Sequence, residues 1–390
     1  MLIAYTPEQE ALRTELRAYF TEIMAEPAVA DAVAEGDFGN EACLRAIRRM
    51  GADGWLGIGW PTEYGGQGRG PVEQFIFIDE SWATQAPVPH LTISTVAKTI
   101  MAFGSAEQKD FFLPPIVRGE CHFAIGYTEP SAGTDLASLT TKAVRDGDQW
   151  VITGQKIYTS WAGFADYIWL AARTDPDVPK HQGITIFAVP TTSEGFSCTG
   201  ISTILKSGTT NTFFDEVRVP ADAVIGGVNQ GWKLITNQLN LERMAIAPPG
   251  MVELPLELVV TWARETALPD GRRVIDLPWV QADLARVRAK LEALKLMNYE
   301  VIAAENLSAG AASATKAYGT EFFTEAYGLM LGVMGQAGTL RRGSKGAVLA
   351  ARLERACQGT LFLTFGGGTN EVQRDMVALF SLGMPRVPRM

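Results

Sequence analysis

Four segments of this chain carry residue types that could do chemistry. The first centres on Glu242, set in Leu239-Asn240-Leu241-Glu242-Arg243 and followed by Met244, Ala245, Ile246 and Ala247. A carboxylate on an apolar helix face loses water, which raises its pKa and strengthens it as a base toward a carbon acid. Glu242 also reads as an ordinary exposed glutamate paired with Arg243. The second segment, Phe123–Asp135, sets Tyr127, Thr128, Ser131, Gly133 and Thr134 where a strand enters a loop. Such a loop offers backbone N–H groups and hydroxyls to a polar ligand, or is a plain turn. The third, Lys156–Trp161, places Tyr158 and Trp161 beside Thr159 and Ser160. An aromatic wall with a hydroxyl suits a planar heterocycle, and a strand with alternating faces gives the same pattern. The fourth is Gly366-Gly367-Gly368-Thr369-Asn370-Glu371. It either lets a ligand touch the backbone or is a hinge between helices, with Glu371 a first-turn residue favoured by the helix dipole.

The elements that must position these segments run in three blocks. Thr6-Pro7-Glu8-Gln9 is a capping box with proline at the first helical position, and Leu12, Leu16, Tyr19, Phe20 and Ile23 follow at helical spacing. A second helix is predicted from Asn40 to Met50, with Leu44, Ile47 and Met50 on one face and Gly51 as the stop. Trp60–Gly68 is turn-rich, and Ser105-Ala106-Glu107-Gln108 is another capping box, leading into Phe111 and Phe112. Near residue 122 the pattern becomes β-rich. Thr140–Arg145 and Trp150–Thr153 flank Asp146-Gly147 as a hairpin, and Tyr167–Ala172, Gly183–Val189 and Phe213–Val219 are further strands. This block reads as a small antiparallel barrel or sandwich. After Gly231 helices return, with a stripe through Leu284, Val287, Leu291, Leu294, Val301 and Ile302. Helical pattern then covers Thr315–Val333 and Lys345–Leu363, and Thr369 or Asn370 caps a last helix. The predicted class is α+β multidomain: helical residues 1–121, a central β domain over 122–228 and a helical domain over 229–390.

Composition narrows the function. The 390 residues, 47% hydrophobic and 20% charged, are those of a globular chain rather than a disordered one. The net charge of −9 argues against a nucleic-acid partner. The cysteines Cys43, Cys121, Cys198 and Cys357 are far apart, so neither a disulfide framework nor a zinc knuckle is expected, and a reducing cytoplasm fits. With only His90, His122 and His181, no metal site is expected. No apolar run is long enough to span a bilayer, and no secretory signal is visible.

Taken in order, the segments resemble the acyl-CoA dehydrogenases, flavoenzymes that oxidise acyl-CoA thioesters. The resemblance rests on Trp60-Pro61 with Gly65-Gly66 and Gly68, on Tyr127–Asp135, on Gly154 and Lys156, on Val219-Pro220, Gly226 and Gly231-Trp232, and on Gly368-Thr369, and it covers nearly the whole chain. It implies an N-terminal helical domain, a central β domain and a C-terminal four-helix domain. It also implies FAD as cofactor. Tyr127 and Thr128 would face the flavin ring, Gly133 and Thr134 the flavin phosphates and thioester arm. Tyr158 stands where the family often has Trp, Ser160 where a hydroxyl reaches flavin N5, and Thr369 and Glu371 match the C-terminal flavin turn. Many members carry a catalytic Glu immediately before the Gly-Thr of that turn; here the position is Gly367. A minority take the base from the helix after the β domain, and Glu242 matches that location, with Arg243 as its supporting arginine. The implied reaction is removal of the α-proton by Glu242 while the Gly367 N–H and a ribityl hydroxyl hold the thioester oxygen. The Cβ hydride passes to the flavin and gives a trans-2-enoyl-CoA. An electron-transfer flavoprotein is the implied reoxidant.

Two departures bear on assembly. The family's Arg-x-x-Phe-Gly and Gln-x-x-Gly-Gly runs, which let a neighbouring subunit cover the flavin adenosine end, are not intact at Trp262–Val274 and Gly332–Gln336. That pattern is similar to a bacterial subgroup that acts on steroid acyl-CoA side chains as α2β2 heterotetramers. Ile125–Pro130, Asp166–Leu170 and Thr364–Arg374 are also close to the subgroup, specifically to its glutamate-bearing subunit. The resemblance thus implies a catalytic subunit acting on a cholesterol-type side-chain CoA ester. A homomeric short or branched-chain dehydrogenase, a non-catalytic subunit and an acyl-CoA oxidase are the rival readings.

Overall fold

The computed structural model describes residues 4–205, 208–245, 247–304 and 309–385, with backbone alone at 240, 242–245, 309 and 348. Helices α1 (Pro7–Ala25), α2 (Pro27–Glu35), α3 (Glu41–Ala52), α4 (Pro71–Thr84), α5 (Ala97–Phe103) and α6 (Ala106–Val117) come first. Strands β1 (Phe123–Gly126), β2 (Lys142–Asp146), β3 (Gln149–Lys156), β4 (Tyr167–Arg173), β5 (Ile184–Pro190), β6 (Phe196–Gly200), β7 (Thr210–Pro220) and β8 (Val224–Ile225) follow. The chain ends in α7 (Gly231–Ala245), α8 (Gly250–Glu265), α9 (Pro278–Ala303), α10 (Ala309–Met334), α11 (Val348–Leu361) and α12 (Asn370–Phe380). The helix, sheet, helix order is the one the sequence implies. Two compact units divide the chain: Met1–Phe20 with Pro71–Gln85 and Arg243–Met390, and Thr21–Gly70 with Ala86–Glu242.

In the first unit α10 packs against α8, α9, α11 and α12. The stripe of α9 buries Leu284, Val287, Leu291 and Leu294 in one cluster with Val252, Leu256 and Val259 of α8 and Phe322, Phe323, Tyr327 and Met330 of α10. Each such side chain contributes about 2 kcal/mol of transfer free energy. The sequence pattern gave no sign of α4, and the reason is physical. Its residues from Gln74 to Ser81 are all buried, the polar Gln74, Asp79, Glu80 and Ser81 among them, so no solvent-facing side sets a helical period. Ion pairs tie α1 into this unit. Arg13 Nε and Arg17 Nε donate to Glu80 at 2.8 and 2.6 Å, and Arg13 Nη2 reaches Glu253 at 2.6 Å. The Gly250 N–H donates to Asp79 Oδ1 at 2.6 Å and fixes the start of α8. Burial pushes the Asp79 carboxyl up to about 7, with that N–H opposing.

The second unit is built on one eight-stranded sheet, ordered β6-β7-β3-β2-β4-β5-β8 with β1 beside β4. The sheet is mixed where an antiparallel one is expected. β1 runs parallel to β4 in the register Phe123↔Tyr167, and β2 meets β4 in parallel at Lys142↔Arg173. Its core holds Trp150, Ile152, Ile168, Leu170, Phe187, Phe214 and Val217. In the β2–β3 hairpin Asp146 pairs with Gln149, so the turn residues are Gly147-Asp148 rather than Asp146-Gly147. Gly147 takes the positive φ of 61° that this first central position requires.

Asn40 caps α3 through its side chain, accepting from the Ala42 N–H. The helix runs past Gly51 to Ala52 and buries Cys43, Ala46, Ile47 and Met50, with Leu44 only half-buried. A Cβ at Gly51 would lie 2.4 Å from the Arg118 carbonyl, so this glycine serves close packing and not a helix stop. Phe112 is buried and Phe111 is exposed.

Candidate active site

The Tyr127–Asp135 loop is held from beneath by a buried ion pair. Lys156 Nζ, at the end of β3, donates to Glu129 Oε1 at 2.8 Å and to the Tyr127 carbonyl at 3.1 Å. Glu129 Oε2 accepts from the Thr140 N–H and hydroxyl, both at 2.7 Å, and Oε1 accepts from the Thr141 N–H at 2.8 Å. Burial alone would raise the Glu129 carboxyl. The Lys156 charge and these donors reverse that and hold it at about 2. Burial draws Lys156 down to about 8 against the pull of Glu129, so both groups are charged at neutral pH. The loop itself closes with paired Glu129–Ala132 main-chain bonds at 3.1 Å. Gly133 and Thr134 project from it exposed, and a Cβ at Gly133 would meet nothing within 4 Å.

Tyr127 is buried. Its hydroxyl donates to Gln238 Oε1 on α7 and accepts from Trp169 Nε1 at 2.9 Å. Thr128 is half-buried, and its carbonyl accepts from the Ile157 N–H at 2.8 Å, which lays the two sequence segments side by side. Tyr158 stands beyond, 62% exposed and with φ of +61°. A bulky residue in that region costs on the order of 1 kcal/mol or more and persists only where its surroundings hold it. They do so here. Thr159 N–H donates to the Thr210 carbonyl at 3.0 Å, Thr210 Oγ1 returns a bond to the Thr159 carbonyl at 2.8 Å, and Trp161 N–H reaches the Gly208 carbonyl at 3.1 Å. Ser160 is half-buried within this clamp.

Glu242 and Arg243 fall on the backbone of α7; their side chains lie outside the described residues. Gln238, one helical turn earlier, joins that helix to Tyr127, so the structure brings the Tyr127 phenol to the helix that carries Glu242.

Gly367, Thr369 and Glu371 belong to the first unit. Lys316 of α10 holds their turn: its buried Nζ donates to the Thr364 carbonyl at 3.2 Å, the Gly368 carbonyl at 2.8 Å and Asn370 Oδ1 at 2.8 Å. Asn370 Nδ2 passes on to Glu321 Oε1 at 3.1 Å. Gly367 and Gly368 have φ of +67° and +97°, and a Cβ at Gly368 would strike Gln373 Nε2 at 2.7 Å. Thr369 caps α12 by accepting the Val372 N–H at 3.3 Å, and Glu371 is exposed in its first turn. With the carbonyls of Thr364 and Gly368 drawn to Lys316, the turn can present N–H groups on its other side.

Sequence reasoning missed the roles of Glu129, Lys156, Gln238 and Lys316. The one available signal was a charged or amide group among apolar and small neighbours, as in Ser313-Ala314-Thr315-Lys316-Ala317. A cavity of about 270 Å³ in the first unit is lined by Tyr5, Arg13, Asp79, Glu253, Lys295 and Tyr299 and contains none of the predicted site residues. Among the described residues no group of His, Cys, Asp and Glu could hold a metal ion, and no helix is long and apolar enough to cross a membrane.

The family models for the acyl-CoA dehydrogenase N-terminal, middle and C-terminal domains match residues 6–120, 124–218 and 229–382. The chain is 51% identical to the acyl-CoA dehydrogenase FadE26 of Mycobacterium tuberculosis over the full length of both. Among solved structures it is similar to the ChsE4–ChsE5 complex from Mycobacterium tuberculosis, with a TM-score of 0.93 and 52% identity over 99% of this chain and 100% of that one. It is equally similar to the Tcur3481–Tcur3483 steroid ACAD, with a TM-score of 0.93 and 49% identity over 99% of this chain and 100% of that one.

Proposed function

This chain belongs to the acyl-CoA dehydrogenase family and carries its activity, and on that premise we propose which residues perform the reaction and on which acyl-CoA. Glu242 is the base that removes the α-proton, and Arg243 supports it. The observation that carries this assignment is the residue at 367. Where many members of the family carry the catalytic glutamate this chain has a glycine, with no side chain to act as base, which supports the glutamate of α7 in that role. The Gly367 N–H donates to the thioester oxygen and stabilises the enolate-like charge that deprotonation creates.

The family uses FAD, and the residues of this chain fit it. Tyr158 offers an exposed aromatic face on a clamped backbone, and the surface at Gly133 is open. In this reading the cofactor-contacting residues are Tyr127, Thr128, Gly133, Thr134, Tyr158, Ser160, Thr369 and Glu371. When bound, FAD supplies the acceptor for the Cβ hydride. Glu242 keeps the proton, and the product is a trans-2-enoyl-CoA. An electron-transfer flavoprotein then takes the electrons.

The substrate in this reading is a cholesterol-type side-chain CoA ester. The similarity to a steroid ACAD and to a two-protein complex supports it, as do the altered runs at Trp262–Val274 and Gly332–Gln336. The same features support assembly with a related subunit as an α2β2 heterotetramer. Segments 1–121, 122–228 and 229–390 are the helical, β and helical domains, and the location is cytoplasmic. The test is to purify this chain alone and together with a related subunit, and to measure flavin per protein and turnover on steroid and short branched acyl-CoAs. Flavin bound only in the mixed assembly, with steroid thioesters oxidised fastest, is the expected result. Full flavin in the lone chain, with short branched substrates preferred, would replace this reading by a homomeric enzyme.

A further inference from the structure

The cavity of about 270 Å³ in the first unit is walled by α1, α4, α8 and α9, and none of the residues assigned to the flavin or the thioester lines it. Its lining sets four carboxyl groups, Glu10, Asp79, Glu253 and Glu292, against two cations, Arg13 and Lys295. Those cations are already engaged. Arg13 donates to Glu80 at 2.8 Å and to Glu253 Oε2 at 2.6 Å. Lys295 Nζ donates to Glu253 Oε1 at 2.5 Å and has Glu292 at 3.5 Å. Asp79 differs from its neighbours. It is 5% exposed and lines the cavity, and its Oδ1 accepts the Gly250 N–H at 2.6 Å. Its Oδ2 accepts no hydrogen bond from any described residue. A buried carboxylate oxygen without a donor is costly, and the open space beside it lets a molecule from outside the chain supply one.

Aromatic side chains complete the wall. Phe75 lines it, with Tyr5 and Tyr299, whose ring centroids lie 5.3 Å apart at 80°. Aromatic faces attract cations. An anion would meet carboxylates and find both cations engaged. The volume admits about nine non-hydrogen atoms at roughly 30 Å³ each, far fewer than an acyl-CoA has. We propose that this cavity binds a small primary ammonium ion, whose N–H donates to Asp79 Oδ2 and whose charge lies among Tyr5, Phe75 and Tyr299. The exposed Glu10, Glu292 and Leu296 mark the solvent side by which it enters. Burial pushes the Asp79 carboxyl up to about 7, so below that pH the site gives up a proton as the cation binds. The groups facing Asp79 are Arg13 from α1, Glu80 from its own helix, Glu253 from α8, Lys295 from α9, and the Tyr5 and Tyr299 phenols.

The experiment is calorimetric titration of the full chain, in its native assembly, with butylammonium chloride and with 1-butanol as the uncharged control. At pH 8 butylammonium should bind with a Kd of about 1 mM or tighter, and 1-butanol should give no binding. Below pH 7 the affinity should fall by about tenfold per pH unit, with a proton released on binding. Asp79→Asn keeps an acceptor for the Gly250 N–H but loses the charge. It should weaken binding by about tenfold or more and flatten the pH dependence. Leu296→Trp, at a half-exposed position on the solvent side, should fill the entrance and abolish binding. Absence of binding at about 20 mM butylammonium overturns the proposal, as does equal binding of 1-butanol. Unchanged affinity in Asp79→Asn overturns it too, and where that variant does not fold, unchanged affinity in Leu296→Trp decides. Neither flavin content nor turnover is read, so the outcome is independent of the base assignment.

Discussion

The Tyr127–Asp135 loop and the Phe365–Glu371 turn each rest on a buried lysine, but the two lysines are answered differently. Lys156 meets a carboxylate directly, at 2.8 Å from Glu129. Lys316 donates to two carbonyls and to the Asn370 carboxamide, whose Nδ2 in turn donates to Glu321. The first arrangement locks a loop of ordinary backbone with charge, leaving Gly133 and Thr134 exposed. The second bends the backbone itself, using positive φ at Gly367 and Gly368. In the proposed reading the loop offers its exposed surface to a ligand and can be pinned by an ion pair, whereas the turn offers main-chain N–H groups and has its carbonyls drawn the other way by the lysine.

The largest effect that would break this comparison is at Glu129. Glu129→Ala leaves Lys156 buried without its counter-charge and should destabilise the chain by about 3–5 kcal/mol in urea unfolding. The double change Glu129→Gln with Lys156→Met should recover much of that loss. The pH dependence follows from the depressed carboxyl. Its contribution is complete above the ordinary value of 4.5 and is lost as pH falls from there toward 2. A wild type whose stability stays flat across that window would contradict the pairing.

Next in size is Lys316→Met, which removes a shared donor from the Thr364 and Gly368 carbonyls and from Asn370 Oδ1. It should cost about 3 kcal/mol by thermal unfolding and lower turnover more than Glu321→Gln does. Equal effects of the two would mean that the lysine acts only as a charge.

The smallest and sharpest contrast lies between two glycines. Gly368→Ala meets both a φ of +97° and the Gln373 amide, and should cost about 1–2 kcal/mol. Gly133→Ala has open space and should change stability by less than about 0.5 kcal/mol. Any loss in Gly133→Ala should therefore appear in flavin content or KM.

The periodic and punctuated parts of the fold were legible in the sequence. The α9 stripe, the caps at Thr6, Asn40 and Ser105, and the β2–β3 hairpin each carry a local signal. What failed to show was buried on all sides or paired over long separations. α4 has no solvent-facing side from Gln74 to Ser81, and β1 is four residues long and joins β4 in parallel across more than forty residues of chain. The site followed the same rule. Its glycines and hydroxyls stood out as motifs. Glu129, Lys156, Gln238 and Lys316 did not, because their meaning lies in partners that only the folded chain supplies.

The central claim is that the proton-abstracting carboxylate sits on α7 and not on the glycine turn. Glu242→Gln, in the flavin-loaded assembly with its fastest substrate, tests it directly through the rate of flavin bleaching. The rate should fall by about 10²–10⁴-fold, with flavin content unchanged. Bleaching within a few-fold of wild type would contradict the claim and move the chemistry to a partner subunit or to another residue of this chain.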